Sequence, residues 1–244
     1  MTLKNHVSKV KFFHPLIRLY RMSCMERIPP EVNIETTSIC NARCIMCPID
    51  KLDRPKKSMD MALFKRVVDD CVATGVKCLK LHNYGEPLLT LGFKEMLRYI
   101  RTRSSGIDIQ FSSNGSLLDD RWARILVQEK VNRVHITIDG LRKETYEKIR
   151  IGLKYETVVN NIRNFVRLKK QLRVKYPEIY VEFIEMNQNR DEVHEFVRHW
   201  KGIVDQVSVK RYSTRAGELP GIEFAAQPRP CFRLWKQMVI TNTD

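Results

Sequence analysis

The chain has 244 residues, 43% hydrophobic and 29% charged, an ordinary globular balance with apolar residues enough for one large α/β domain or two small ones. No apolar run approaches the roughly 18 residues of a membrane span, and the N-terminus lacks the uninterrupted apolar stretch of a secretory leader. The formal net charge of +15 points either to polyanions (nucleic acid, anionic membrane, phosphorylated substrate) or simply to a basic solvated surface. The seven cysteines are Cys24, Cys40, Cys44, Cys47, Cys71, Cys78 and Cys231. Three cluster and the rest scatter, a poor disulfide framework that fits a reducing cytoplasm.

Residues 1–30 read as a basic extension. Lys4, Lys9, Lys11, Arg18, Arg21 and Arg27 alternate with Val7, Val10, Phe12, Phe13, Leu16, Ile17 and Tyr20. Pro15 suits the first position of a helix reaching about Met25. Its apolar side is expected to pack on the host domain, with docking on a membrane or an acidic partner as the alternative.

After Pro29-Pro30 a rhythm begins. Strands are predicted at Glu31–Glu35, Cys78–His82, Ile107–Ser112, Arg133–Ile138, Ile179–Ile184 and Gln206–Lys210, several near-continuously apolar, as strands buried on both faces are. Helical periods lie between them. Met61, Phe64, Val67, Val68, Cys71 and Val72 make the first, with Gly75 as its stop; Phe93, Met96, Leu97 and Ile100 make the second. Trp122, Ile125 and Leu126 follow the N-terminal acids Asp119-Asp120. Val158, Ile162, Phe165, Val166 and Leu172 make a long fourth, and Val193, Phe196, Val197 and Trp200 a fifth. This alternation predicts βαβ units, a parallel sheet and a ligand site beyond the carboxyl ends of the strands.

Chemistry-bearing residues gather at those ends. After the first strand comes Cys40-Asn41-Ala42-Arg43-Cys44-Ile45-Met46-Cys47, three thiols that one loop can wrap around an inorganic centre. Three thiolates hold three irons of a [4Fe–4S] cube and leave the fourth iron open. The alternatives are a structural zinc site, which wants four ligands, and free cysteines. His82 and Cys78 are distant in sequence as a fourth ligand. After the next strands come Tyr84-Gly85-Glu86-Pro87, Ser113-Asn114-Gly115 and Thr137-Ile138-Asp139-Gly140. Each by itself reads as a turn, and Asp139 as an acid able to accept ribose hydroxyls.

Taken in order, these pieces resemble the radical S-adenosylmethionine (radical SAM) superfamily. The C-x-x-x-C-x-x-C of Cys40, Cys44 and Cys47 matches its cluster motif, with Met46 where an aromatic residue is usual. Gly85-Glu86-Pro87 resembles the family's Gly-Gly-Glu, with Tyr84 in place of the first glycine. Ser113-Asn114-Gly115 resembles its Thr-Asn-Gly, and Thr137-Ile138-Asp139-Gly140 its Ser-Leu-Asp-Gly. Arg150, Gly152, Tyr155 and Val158 resemble Arg-x-Gly…Phe-x-x-Val, and Asn187 matches a polar position near the adenosine.

The resemblance covers residues 31–212 and implies an α/β fold, a partial (β/α)6 barrel of parallel strands. It implies a [4Fe–4S] cluster on Cys40, Cys44 and Cys47. It also implies an S-adenosylmethionine site using Tyr84, Gly85, Glu86, Ser113, Asn114, Thr137, Asp139, Arg150 and Asn187, in which Glu86 holds the methionine amino group and Arg150 its carboxylate. A low-potential electron donor of the flavodoxin or ferredoxin type follows as a partner.

Residues 213–244, with Pro230-Cys231-Phe232-Arg233-Leu234-Trp235, resemble the opening of a SPASM-type auxiliary-cluster domain, cut short before its hairpin and further cysteines. The expected substrate is a peptide or a sugar-like small molecule. An RNA-modifying enzyme is the alternative among enzymes, and a non-catalytic, zinc-stabilised basic module the alternative outside them. Of Arg150, Lys154, Arg163, Arg167, Lys169, Lys170, Arg173 and Lys175, most are expected on the outward side of the fourth helix, away from the mouth. His135 is expected to be packed.

Overall fold

The computed structural model describes residues 28–212 and 236–242. The predicted extension helix and the segment around Cys231 lie outside the described residues, as do Leu234 and Trp235.

The strands are β1 (Glu31–Ile34), the short β2 (Arg43–Cys44), β3 (Cys78–Lys80), β4 (Asp108–Ser113), β5 (Arg133–Thr137), the short β6 (Arg150–Ile151), β7 (Glu178–Glu185), β8 (Gln206–Arg211) and β9 (Gln237–Ile240). The helices are α1 (Met61–Ala73), α2 (Phe93–Arg103), α3 (Asp120–Gln128), α4 (Lys143–Ile149), α5 (Tyr155–Leu172) and α6 (Val193–Trp200). All six predicted strands and five predicted helices are present. The helix α4 was not predicted: it has a single turn or so of apolar signal, Tyr146 and Ile149, both buried.

Seven strands form one parallel sheet in the order β8-β7-β5-β4-β3-β1-β9. It is an open, partial barrel. A seventh strand joins the six expected ones: Gln237–Ile240 runs parallel to β1 along its whole length. The sheet therefore takes in a strand from beyond residue 212. Four residues of one helical or extended turn carry too little periodicity to reveal a parallel partner so far away in sequence.

The strands also alternate more strictly than their composition predicts. Val32, Leu79 and Ile109 lie side by side, as do Phe111, Val134 and Ile179, and Ile136, Val181 and Val207. This face meets the helices. Phe111 stacks edge-on to Phe93 of α2 at 5.4 Å, and Phe183 packs on Phe196 of α6 at 4.7 Å. The opposite face carries Asn33, Lys80, Gln110, Arg133 and Glu178 in one row, then Ser112, His135, Tyr180 and Gln206, then Thr137, Glu182 and Ser208. Helices cover this open sheet from outside, and its other face carries mostly polar side chains.

Local signals set the helix ends. Asp60 caps α1 by accepting from the N–H groups of Ala62 and Leu63, and Asp119 caps α3 by accepting from Trp122. On α5, Arg163, Arg167 and Lys170 are exposed as expected. Lys169 is not: it is buried and pairs with Asp205 at 2.6 Å. Phe111→Ala removes a fully buried ring from the helix-facing side and is expected to cost about 3–5 kcal/mol, read as a lowered urea midpoint by circular dichroism.

Candidate active site at the carboxyl rim

The cysteine loop leaves β1 at the carboxyl rim and is anchored at three places. A turn closes it from within, Cys47 N–H donating to Cys44 C=O at 2.9 Å. Its start, Thr36–Ser38, pairs with the returning segment through Ser38 N–H to Lys57 C=O at 3.0 Å and Met59 N–H to Thr36 C=O at 2.8 Å. Its middle forms a two-stranded ladder, β2 with β6, in which Cys44 lies opposite Arg150. Ala42 and Met46 are buried beneath the loop while Ile45 faces outward. Met46 thus fills the apolar place usually taken by an aromatic residue.

Gly85 seats the next element against this loop. Its φ is +82°, and a β-carbon there would lie 2.3 Å from Thr37 O and 2.9 Å from Ile39 O. Glycine alone meets both demands. The adjacent Glu86 N–H donates to Ile39 C=O at 2.8 Å. Tyr84, half-buried, donates its N–H to Glu35 Oε2 at 3.3 Å. It also lines a cavity of about 520 Å³ with Pro48, Lys51, Leu52, Asp53 and Arg54.

Glu86 is buried and joins two strand ends. It accepts from Ser113 Oγ at 2.8 Å, Asn114 N–H at 2.7 Å and Leu88 N–H at 3.2 Å. Burial pushes its carboxyl up, and those three donors oppose the shift. Asn114 passes the connection back to the cysteine loop, its amide donating to Asn41 Oδ1 at 2.8 Å, while Asn41 donates to Ser116 Oγ at 2.9 Å.

Asp139 and Arg150 form the other half. Arg150 Nε and Nη2 lie 2.7 and 2.5 Å from Asp139 Oδ2, and Nη1 lies 3.4 Å from Cys44 Sγ. Asp139 Oδ1 accepts from Ile184 N–H at 2.7 Å. Burial raises the Asp139 carboxyl and the guanidinium pulls it back. Gly152, with φ +92°, lets Asn41 O approach to 3.1 Å of where a β-carbon would sit.

Thr137 ends β5 beside Glu182 in the register. Asn187 is exposed and accepts from Arg190, whereas Asn189, not predicted, is buried and donates to Asp139 C=O at 3.0 Å and Ile184 C=O at 2.9 Å. Asn41, Ser116 and Asn189 were missed because a polar residue in a loop carries no periodic signal of which partner it meets.

Below the rim, His135 is not simply packed. Its Nδ1 lies 2.7 Å from Glu182 Oε1, and Lys210 Nζ lies 2.7 Å from both Glu182 oxygens. Burial raises Glu182, but His135 and Lys210 outweigh it and bring the carboxyl down to about 2. His82, whose Nδ1 accepts from Ser112 N–H at 3.1 Å, is pushed down to about 3 by burial, with His135 next to it.

Three thiols are the donor set of a [4Fe–4S] cube with one open iron. Burial pushes Cys40 up to about 11; its Ala42 N–H bond opposes, and the charges of Glu86, Cys44 and Cys47 add to the rise. Among the described residues no three His, Cys, Asp or Glu side chains are close enough to hold a single metal ion. A cube takes one thiolate per iron.

Residues 34–197 match the family model described as the radical SAM superfamily. The chain belongs to the radical SAM superfamily. Members are enzymes that use a [4Fe–4S] cluster and S-adenosylmethionine. The chain is 28% identical over 171 residues to the tungsten-containing aldehyde ferredoxin oxidoreductase cofactor-modifying protein of Pyrococcus furiosus, covering 68% of this chain and 46% of that protein. It is 27% identical over 180 residues to the GTP 3′,8-cyclase of Lactiplantibacillus plantarum, covering 72% and 52%. The chain thus spans about half the length of these curated relatives. In fold it is similar to Streptococcus suis SuiB bound to precursor peptide SuiA, with a TM-score of 0.66 at 16% identity over 89% of this chain and 47% of that one. Among the described residues no helix is long and apolar enough to cross a membrane.

Two outcomes test this geometry. Gly85→Ala forces a β-carbon onto backbone oxygens at a left-handed φ and is expected to cost at least about 1–3 kcal/mol, measured by urea unfolding. Acidification should weaken the fold in two stages. Between pH 6.5 and about 3 the unfolded chain binds a proton at His82 that the folded state refuses, so stability falls with pH. Between 4.5 and about 2 the Glu182 contribution, complete above that window, is lost. Urea midpoints against pH should lose the upper stage in His82→Gln and the lower in Glu182→Gln.

Proposed function

We propose that this chain is a radical SAM modifying enzyme that removes hydrogen from a polar substrate, a peptide or a sugar-like small molecule, held in the lumen. The observation that carries the reading is the convergence of Cys40, Cys44 and Cys47 with Glu86, Asn114, Asp139 and Arg150 on one rim of the sheet. When bound, the cluster and S-adenosylmethionine supply a one-electron reductive cleavage whose 5′-deoxyadenosyl radical takes hydrogen from carbon.

The chain's own residues have binding and orienting tasks. Cys40, Cys44 and Cys47 hold the cluster as thiolates. Gly85 allows backbone oxygens to crowd the rim, and Glu86 offers a buried carboxylate to the methionine amino group. Tyr84, Ser113, Asn114, Thr137, Asp139 and Asn187 bound the nucleoside, and Arg150 offers an anionic oxygen the guanidinium N–H that its contacts with Asp139 and Cys44 leave over. A reactive primary radical requires an enclosure free of stray water.

The lumen supports a polar substrate. Its inner rows hold paired charges, Lys80 with Glu31 at 2.6 Å, Arg133 with Glu178 at 3.1 Å, and Glu182 with His135 and Lys210. An apolar ligand would strip water from these charged groups and offer their remaining donors and acceptors nothing in return. The relatives' names support small-molecule chemistry, and the similarity to the peptide-bound SuiB supports a peptide. The electron enters from a flavodoxin- or ferredoxin-type donor.

The decisive experiment is anaerobic reconstitution with iron and sulfide, followed by dithionite and S-adenosylmethionine. Brown, iron-loaded protein that releases 5′-deoxyadenosine is expected, and Cys44→Ala should release none above background. Wild-type release from Cys44→Ala, or zinc taken up in place of iron, would overturn the reading in favour of a metal-stabilised binding module.

A further inference from the structure

Arg150 serves two partners at once. Its Nε and Nη2 are spent on Asp139 Oδ2, and its Nη1 is aimed at Cys44 Sγ, 3.4 Å away. Its side chain is 10% exposed and that of Asp139 0%, so their ion pair is made where water dilutes it little, while the contact with the half-buried Cys44 is part-buried. A neutral thiol is a weak acceptor. A buried guanidinium donor directed at sulfur is accounted for when that sulfur carries negative charge, as a cluster thiolate does.

The backbone makes the approach unavoidable. Cys44 and Arg150 face each other in the β2–β6 ladder, and Ile45 N–H donates to Ile149 C=O at 3.1 Å one step on. Behind the guanidinium, Asp139 is fixed by Ile184 N–H, and Asn189 holds the Asp139 carbonyl. The donor is therefore set by two strand ends, β5 and β7, as well as by the loop that carries the cysteine.

We infer that Arg150, braced by Asp139, is a positioning residue that raises the reduction potential of the cluster through its charged N–H···S contact with Cys44. The inference rests on the reading of Cys40, Cys44 and Cys47 as cluster ligands. Cluster potentials respond to hydrogen bonds to the sulfurs and to nearby charge. The reduced cluster is more negative by one electron, so a fixed cation and donor favour it. The electron comes from the external low-potential donor; no bond in the protein forms or breaks, and Arg150 keeps its proton. A residue whose task is only to grip the nucleoside's carboxylate acts when S-adenosylmethionine is bound. The contact with Cys44 acts without it.

The test is an electron-paramagnetic-resonance redox titration of reconstituted wild type, Arg150→Gln and Arg150→Lys, each with its iron content measured and S-adenosylmethionine left out. Arg150→Gln is expected to move the reduction equilibrium about tenfold toward the oxidised cluster, about 59 mV more negative for a one-electron couple. Arg150→Lys keeps the charge but cannot span Asp139 and Cys44 with one ammonium group, and its midpoint should fall between the two. A wild-type midpoint in iron-loaded Arg150→Gln overturns the inference. Where the glutamine variant holds no iron, an unshifted midpoint in Arg150→Lys overturns it equally. So does loss of iron from both variants, which makes the residue a structural clamp, or a shift that appears only on adding S-adenosylmethionine. Wild-type protein that takes up no iron overturns the cluster reading as well; an unshifted variant beside loaded wild type overturns this inference alone.

Discussion

The buried ion pair between Asp139 and Arg150 is the interaction on which the site depends. Asp139 belongs to the turn after β5, is fixed by the backbone of β7, and reaches through Arg150 to a cysteine that follows β1. Strands far apart in the sheet order are thereby joined across the rim. A buried pair of this kind adds little net stability against an apolar replacement, yet removing one partner costs about 3–5 kcal/mol. Its value lies in specifying one position for the cysteine loop.

Glu86 performs the matching task on the other side. Its carboxylate gathers the ends of β3 and β4, and its backbone N–H takes hold of the cysteine loop at Ile39. The loop is thus held by two acids that never touch it through their own oxygens. Both are fully hydrogen-bonded, which is how a water-poor rim tolerates them.

The fold supplies the lumen through the same economy. Helices on the outside take most of the apolar strand positions, from Val32 to Phe183. The inward positions are then released from packing and carry ion pairs and imidazoles. His135, Glu182 and Lys210 are chemically the most distinctive of these, and they lie just beneath the carboxyl rim on neighbouring strands. Rigid strands hold them, so a substrate would meet a prearranged polar wall.

Six strands, five helices and the gathering of chemistry at strand ends were legible in the chain alone, because hydrophobic period and turn residues are local properties. So were Cys40, Cys44, Cys47, Gly85 and Glu86, which stand in short runs of fixed spacing. Only the tertiary structure decided that Gln237–Ile240 closes against β1, that Lys169 is buried, and that Asn189 rather than its neighbours holds Asp139. It alone brought Arg150 to the sulfur of Cys44, 106 residues away. Contacts of that kind depend on strand register and on the approach of distant loops, and no periodicity within a single segment encodes them.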